Sequence, residues 1–383
     1  MGGGSSTPMN RVLVVGAGFA GAVHARRLAE AGYFVDVIDK RAHIGGNAYD
    51  FVDENGIRVH AYGPHLLHTK NRKVLDWLYR FAVFEPYEHK VRALLHGGQF
   101  VPLPINLDTV NAVFGTRFTT DAQMRAQLRA VALPDAAPAN AAAYLYASLG
   151  RELTDLFYRP YTRKMWALEL EEMAVSVVRR VAVRFDRADG YFAGDEVQLL
   201  PRLGYTKLFE SMLDHGNIRV SLATAFREDF AGEYMVCFNS MPIDEYFGFV
   251  LGELPYRSLR FHHRTAPGLP ARGWSVTNFT DDGQFTRETA WHLLPCHVER
   301  DTGRHTLTLE EPCDYRENFM ERYYPIATAD GRNVALYRQY LALAAREPKL
   351  KFIGRCGTYR YLDMDQAINQ ALVSADAWLE RQA

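Results

Sequence analysis

Gly16-Ala-Gly18-Phe19-Ala20-Gly21 follows directly on the short apolar run Arg11–Val15 and opens a helical pattern over Ala22–Ala31. Gly32 stands where a helix C′ residue is expected, and a second strand, Phe34–Ile38, closes on Asp39, 18 residues after Gly21. Strand, glycine turn, helix, strand and acid in this order describe a dinucleotide-binding βαβ unit. Each part has a physical task. Gly16 permits the tight turn, Gly18 lets backbone N–H groups approach a pyrophosphate, and Gly21 lets helix and strand pack closely. The helix N-terminus offers unpaired N–H groups and a favourable dipole to the phosphates. Phe19 and Ala20 in its first turn, and Asp39 with Lys40 beside the ribose, complete the expected contacts.

At 383 residues, the chain exceeds the size at which a single core usually stops growing. A composite α/β protein is expected: a Rossmann-like dinucleotide domain carrying an inserted helical domain and an antiparallel β-sheet domain. The texture suggests a first dinucleotide-domain part over 9–105, a mainly helical insert for substrate and dimerisation over 106–215, a β-sheet substrate region with returning dinucleotide-domain segments over 216–330, and a closing dinucleotide part over 331–383. Basic and acidic residues balance at 44 against 45, which removes whole-chain electrostatics as a reason to bind nucleic acid. No run approaches the 18 or more apolar residues of a spanning helix. The four cysteines show no CxxC pairing and no metal-type spacing, so reduced thiols, no metal and a cytoplasmic location are expected. Met1–Pro8 reads as a flexible Gly/Ser-rich lead-in without a secretory apolar region, with order beginning near Met9.

The next glycines point to a flavin. Gly45-Gly46-Asn47 follows the ribose acid closely and resembles the second glycine motif of amine-oxidase-like flavoproteins, which usually carry Arg where this chain has Asn47. Near the C-terminus Gly354-Arg355 follows a strand, and Asp363-Met364-Asp365 begins a helix whose N-terminus could stabilise negative charge on a reduced flavin. FAD is the expected cofactor.

Further segments extend the pattern: Gly63-Pro64-His65-Leu-Leu-His68-Thr69, Pro104-Ile-Asn106-Leu, Phe157-x-x-Pro-Tyr161-Thr-x-Lys-x-Trp166, Arg180-Val-Ala-Val-Arg184, Tyr191-Phe192, Gly204-Tyr-Thr-Lys207, Phe-Thr-Arg287 and Tyr359-Arg-Tyr361-Leu-Asp363-Met364. In this order they resemble the UDP-galactopyranose mutase family over most of the chain. The resemblance implies a non-redox isomerase that interconverts UDP-galactopyranose and UDP-galactofuranose, or a related nucleotide sugar. Its FAD works reduced, through a covalent N5-flavin–sugar adduct, and an external reductant such as NAD(P)H would maintain that state. A homodimer or higher homo-oligomer is also implied.

Matched residue by residue, the family assigns Arg180 and Arg287 to the diphosphate, which suits the need for permanently charged bidentate donors. Tyr191, Tyr361 and one of Tyr323 and Tyr324 match tyrosines reaching the same phosphates. Phe157 and Tyr161 match positions bracketing the uracil, and Trp166 and Asn106 positions near the sugar. Phe192 and Asp363 join the substrate set. His65 and His68 match the histidine loop beside the flavin, where a group titrating near neutrality suits ring opening. His65, Arg355, Tyr361, Asp363 and Met364 also fall on the cofactor side.

Read without the resemblance, aromatics at helical spacing serve equally well as core, and a lone Arg or His as an ordinary surface or hydrogen-bonded group. Two other functions share the dinucleotide fold: an amine-oxidase-like oxidase or desaturase, and a non-catalytic dinucleotide-binding protein. The arginine and tyrosine set favours the mutase, because an amine or apolar substrate needs no diphosphate clamp. One stretch departs from the commoner bacterial pattern. Arg287 is followed by Glu-Thr-Ala-Trp291-His-Leu-Leu-Pro295 and a longer connection through Glu310-Glu-Pro-Cys313-Asp to Tyr324-Pro325, which bears on the sugar pocket.

Overall fold

The computed structural model describes residues 10–179, 183–192, 194–195, 197–228, 233–268, 272–298 and 303–382. Strand β1 (Arg11–Val15), helix α1 (Phe19–Glu30) and strand β2 (Phe34–Ile38) form where the glycine motif requires. Val12, Leu13 and Val14 are almost wholly buried, so β1 has both faces covered, as central strands of parallel sheets do. It lies third in a five-stranded parallel sheet ordered Ile218–Ser221, β2, β1, Val236–Asn239 and Leu350–Phe352. The strand order changes direction at β1, which opens a crevice beyond its C-terminal end. Helix α1 packs against the C-terminal helix Met364–Glu380, and Arg27 pairs with Asp376 at 2.5 Å.

A second sheet has seven strands, ordered Tyr324–Pro325, Tyr256–Pro267, Arg304–Asp314, Arg287–Ala290, Val276–Phe279, Val91–Leu94 and Phe100–Leu103. All its pairings are antiparallel except that of Val276–Phe279 with Val91–Leu94. The helices Leu107–Phe114, Asp121–Val131, Ala141–Leu153 and Arg159–Trp166 pack over it, sharing a core with Ala93, Val101 and Leu259.

Two boundaries differ from those drawn from the sequence. The hairpin Val91–Leu103, assigned above to the dinucleotide part ending at 105, belongs to the seven-stranded sheet through its pairing with Val276–Phe279. Conversely, the strand Val197–Pro201 and the helix Tyr205–Leu213, assigned to the helical insert, place Leu199, Leu208, Phe209 and Met212 in one core with β1 and α1. The physical anchor is Asp50. Its buried carboxylate accepts the backbone N–H groups of Tyr205 and Thr206, both at 2.8 Å, and so caps a helix more than 150 residues away in the chain. Among the described residues no helix is long and apolar enough to cross a membrane.

Candidate functional site: a glycine cradle joined to an arginine and tyrosine cluster

The crevice is lined by backbone that tolerates no side chain. Gly16 has φ +100°, and a Cβ there would lie 2.0 Å from Ser240 Oγ. At Gly21 a Cβ would stand 1.8 Å from the Gly16 carbonyl oxygen, so strand and helix meet only because neither carries one. Gly46 (φ +55°) would place a Cβ 2.9 Å from Gly18 Cα, and the Gly45 N–H donates to the Ala17 carbonyl at 2.9 Å. The two glycine motifs are therefore one surface. Phe19 and Ala20 start α1 here, with Phe19 stacked obliquely on Phe209 at 4.6 Å.

Asp39 sits at the end of β2, nearly buried, and accepts from the N–H groups of Ala17 at 2.8 Å and Arg41 at 2.9 Å. Those bonds fix the carboxylate at the lip of the crevice and leave lone pairs for hydroxyl donors. Lys40 reaches Glu321 at 3.4 Å. Arg41 also pairs with Glu321, donates to Asn47 Oδ1 at 3.0 Å and lies over the Tyr62 ring. A guanidinium thus stands beside Asn47, where amine-oxidase-like sequences carry an arginine of their own.

The glycine surface adjoins an aromatic cluster through Gly354 and Arg355. Gly354, after the last sheet strand, packs against Ala20, where its own Cβ would come within 2.9 Å of the Ala20 Cβ. The next residue, Arg355, donates to the carbonyls of Leu362 at 2.6 Å and Tyr323 at 3.3 Å, and its guanidinium covers Tyr324 and Tyr361. Those two rings stack at 5.4 Å, and Trp166 closes one side of the pair. Asp363 caps the helix Met364–Glu380 in a box with Gln366, and Met364 packs on the core below α1.

Arg287, half-buried, stands among the groups beyond this cluster. Burial opposes its charge, but the nearby Glu310 carboxylate and the hydroxyls of Tyr161, Tyr191 and Tyr324 outweigh that and raise its pKa. Burial likewise pushes the phenols of Tyr161 and Tyr324 up, which keeps them protonated and able to donate. The helix that carries Tyr161 and Trp166 is held to this sheet by Lys164, whose Nζ donates to the carbonyls of Phe279 at 3.0 Å and Phe285 at 2.9 Å. A π-helical turn, Thr154–Tyr158, precedes that helix and directs Phe157 into the core.

The histidine loop lies between cradle and arginine. His65 Nδ1 is 2.9 Å from the Gly63 carbonyl, which can only accept, so Nδ1 holds the proton and Nε2 offers a lone pair. Burial lowers its pKa to about 3, so the ring is neutral. His68 pairs with Asp195 at 2.6 Å and stacks on Phe192 at 3.6 Å.

Two residues expected at the site stand differently. Asn106 is fully buried and caps the helix Leu107–Phe114: its Oδ1 accepts from the Thr109 N–H at 3.0 Å, and its Nδ2 donates to the Ala188 carbonyl at 3.3 Å. It is a cap rather than a substrate contact, because its hydrogen-bonding groups are turned into the fold. Tyr323 is nearly buried and faces Tyr62 and Phe261, away from the cluster that holds Tyr324. Arg180 lies outside the described residues.

A family model described as UDP-galactopyranose mutase matches residues 156–361, and one for the NAD(P)-binding Rossmann-like domain matches residues 14–81. A probable UDP-galactopyranose mutase of Klebsiella pneumoniae is 37% identical over 375 residues, covering 96% of this chain and 94% of that protein. The chain belongs to the UDP-galactopyranose mutase family. A dTDP-fucopyranose mutase of Escherichia coli is 35% identical, with 97% of this chain and 99% of that protein covered. Among solved structures, a reduced UDP-galactopyranose mutase shares the fold with a TM-score of 0.76 at 18% identity, over 97% of this chain and 96% of that one. A putrescine oxidase shares it more loosely, at 0.58 and 14% identity, over 98% and 100% of the two chains.

Within this mutase-family fold, Tyr161, Tyr191 and Tyr324 lie near Arg287, and Trp166, Tyr324 and Tyr361 gather at Arg355. The sequence reading missed three groups. Glu310 is the carboxylate facing Arg287, and it had been read only as part of a connection. Lys164 ties helix to sheet. His89 is buried against Tyr191 and Phe192, its pKa lowered to about 3 by burial and then by Arg287 and His68. Alternation along Arg304–Asp314 could have flagged Glu310, since Leu307 and Glu310 fall on opposite faces and both are buried.

Proposed function

We propose that this chain interconverts the pyranose and furanose rings of a nucleotide sugar, UDP-galactose first, with reduced FAD as its resident cofactor. The carrying observation is the chain of contacts from the glycine cradle, through Arg355 and the Tyr324–Tyr361 stack, to the half-buried Arg287. The cradle fits a dinucleotide, because at Gly16 and Gly46 a Cβ would collide with neighbouring atoms and the bare backbone stays accessible to phosphate. When bound and reduced, the flavin supplies a nucleophilic N5 for the anomeric carbon.

The chain's own residues then have distinct tasks. Arg287 holds the diphosphate as it leaves and returns, assisted by hydroxyl donors from Tyr161, Tyr191 and Tyr324 and, by the family match, by Arg180 and Tyr361. Tyr161 offers apolar surface to the base, and Phe157 packs in the core of the same helical layer. Trp166 and the tyrosine stack screen the sugar from water, which strengthens each charge contact inside. His65, neutral in the fold, presents its Nε2 lone pair as a hydrogen-bond acceptor to a sugar hydroxyl, and Asp195 holds the His68 ring in place. Tyr324 rather than Tyr323 is the diphosphate tyrosine.

An Arg287→Ala holoprotein should keep its yellow flavin and lose nearly all turnover. Unchanged catalytic efficiency would remove the assignment. The Escherichia coli relative named for dTDP-fucopyranose, at 35% identity, makes that sugar the second substrate to assay. Beyond the site, a homodimer in the cytoplasm supplied with electrons by NAD(P)H completes the proposal.

A further inference from the structure

Glu310 is the charged group to which the reaction above gives no task. Its side chain is 5% exposed, and its Oε1 has no hydrogen-bond partner. Arg287 Nη1 stands 3.7 Å away, close enough for attraction and too far for a hydrogen bond. The strands fix this arrangement. Arg287 and Glu310 are register partners, and the Thr286 N–H donates to the Glu310 carbonyl at 3.0 Å. Gly63 lets the histidine loop close on the carboxyl, since even a Cβ there would lie 3.1 Å from Oε1.

The groups around Glu310 give it little other support. On its second neighbouring strand Phe261 is its partner, while Arg260 and His262 turn to Glu311 at 3.0 and 2.6 Å. Tyr161 from the helical layer and Tyr324 from the sheet edge face it as neutral phenols, and the nearby His65 is neutral. A buried carboxylate with a single cation at this distance is incompletely compensated. A diphosphate on Arg287 would bring a second anion to the same guanidinium. Of the two anions the diphosphate also has the donors named above, whereas the buried carboxylate has Arg287 alone, and the ester phosphates do not protonate near neutrality. The carboxyl is the group that yields.

We infer that Glu310 is a positioning residue that gives way to the substrate: ionised, it neutralises Arg287, whose Nε donates to Asn278 Oδ1 at 3.3 Å, and it takes one proton from solvent when a nucleotide-sugar diphosphate settles on that arginine. The inference rests on the reading that Arg287 binds the diphosphate. Burial already pushes the Glu310 carboxyl up and Arg287 pulls it down, so sharing Arg287 with an anion moves it towards the protonated form.

The test is calorimetric titration of the oxidised holoprotein with UDP-galactopyranose, or dTDP-fucopyranose if the first does not bind, in buffers of different ionisation enthalpy. The wild type should take up as much as one proton, and affinity should fall by up to about tenfold per pH unit above neutrality. Glu310→Gln should lose both the uptake and the pH slope while binding at least as tightly. Glu310→Asp should keep the uptake with a displaced pH profile. Absence of buffer dependence in the wild type overturns the inference whether or not the variants fold. Uptake persisting in Glu310→Gln also overturns it, assigning the proton to His65, His68 or His89. Arg287→Lys separates the two levels. Undiminished affinity there removes both the diphosphate reading and the inference, whereas weakened binding with no wild-type proton uptake removes the inference alone.

Discussion

Replacing Arg287 by Ala should cause two losses that can be separated. The first is catalytic. Hydrogen bonds to charged groups contribute about 1.5–3 kcal/mol each, and a guanidinium can give two to a diphosphate, so about 3–6 kcal/mol of binding is removed. That corresponds to a fall in kcat/KM of roughly 10²–10⁴. The second is structural. The variant strands Glu310, 5% exposed in its side chain, without the cation 3.7 Å away. Breaking a buried pair costs about 3–5 kcal/mol, and the absence of a hydrogen bond between the partners places this one near the lower end. The structural loss depends on pH. Burial already raises the Glu310 carboxyl, and removing Arg287 raises it further, above an unfolded value of about 4.3. Between those two values the folded state holds a proton that the unfolded state releases. Stability therefore falls as pH rises through that window, by about 1.4 kcal/mol per unit. Denaturant unfolding of Arg287→Ala should show little loss near pH 4 and most of it at neutral pH. Adding Glu310→Gln should restore stability and leave kcat/KM low. A double variant as unstable as Arg287→Ala, or a loss independent of pH, would refute the reasoning.

Three further outcomes follow from the geometry. Gly16→Ala puts a Cβ 2.0 Å from Ser240 Oγ at φ +100°, and should cost about 2–4 kcal/mol in thermal unfolding with loss of bound flavin; full flavin occupancy would contradict the cradle. Tyr324→Phe should lower kcat/KM about 10- to 100-fold while Tyr323→Phe stays near wild type, because only Tyr324 faces the Arg355 and Arg287 cluster; steady-state kinetics showing the reverse order would exchange the two roles. His24 is buried in α1 with its pKa lowered to about 4, so it remains neutral in the fold while the unfolded chain protonates near 6.5. Stability should therefore fall by about 3 kcal/mol as pH drops from 6.5 to 4, and His24→Leu should flatten that acid limb in pH-dependent unfolding.

The dinucleotide unit was readable because its determinants are local. Glycines, an apolar strand and an acid lie within one stretch, and the backbone chemistry of each is fixed by residue type. Partnership between distant segments was not. Val91–Leu103 looks alike whether it pairs with β1 or, as found, with Val276–Phe279, and the helix Tyr205–Leu213 owes its place to a carboxylate at position 50. Asn106 shows a second limit, since an amide that caps a helix and one that binds a sugar are the same letter. The choice between Tyr323 and Tyr324 needed the sheet edge, where neighbouring side chains take opposite sides. Glu310 was overlooked because charged residues are usually solvated. Alternation along its strand hints at burial, and the strand register then sets it opposite Arg287.

The central claim is isomerisation by a reduced flavin held beside Arg287, and anaerobic assay tests it most directly. The holoprotein is incubated with UDP-galactofuranose, with and without dithionite, and UDP-galactopyranose is followed by chromatography. The account predicts turnover only after reduction, with no net consumption of reductant per turnover. Equal turnover by the oxidised protein, or reductant consumed in step with product, would contradict it.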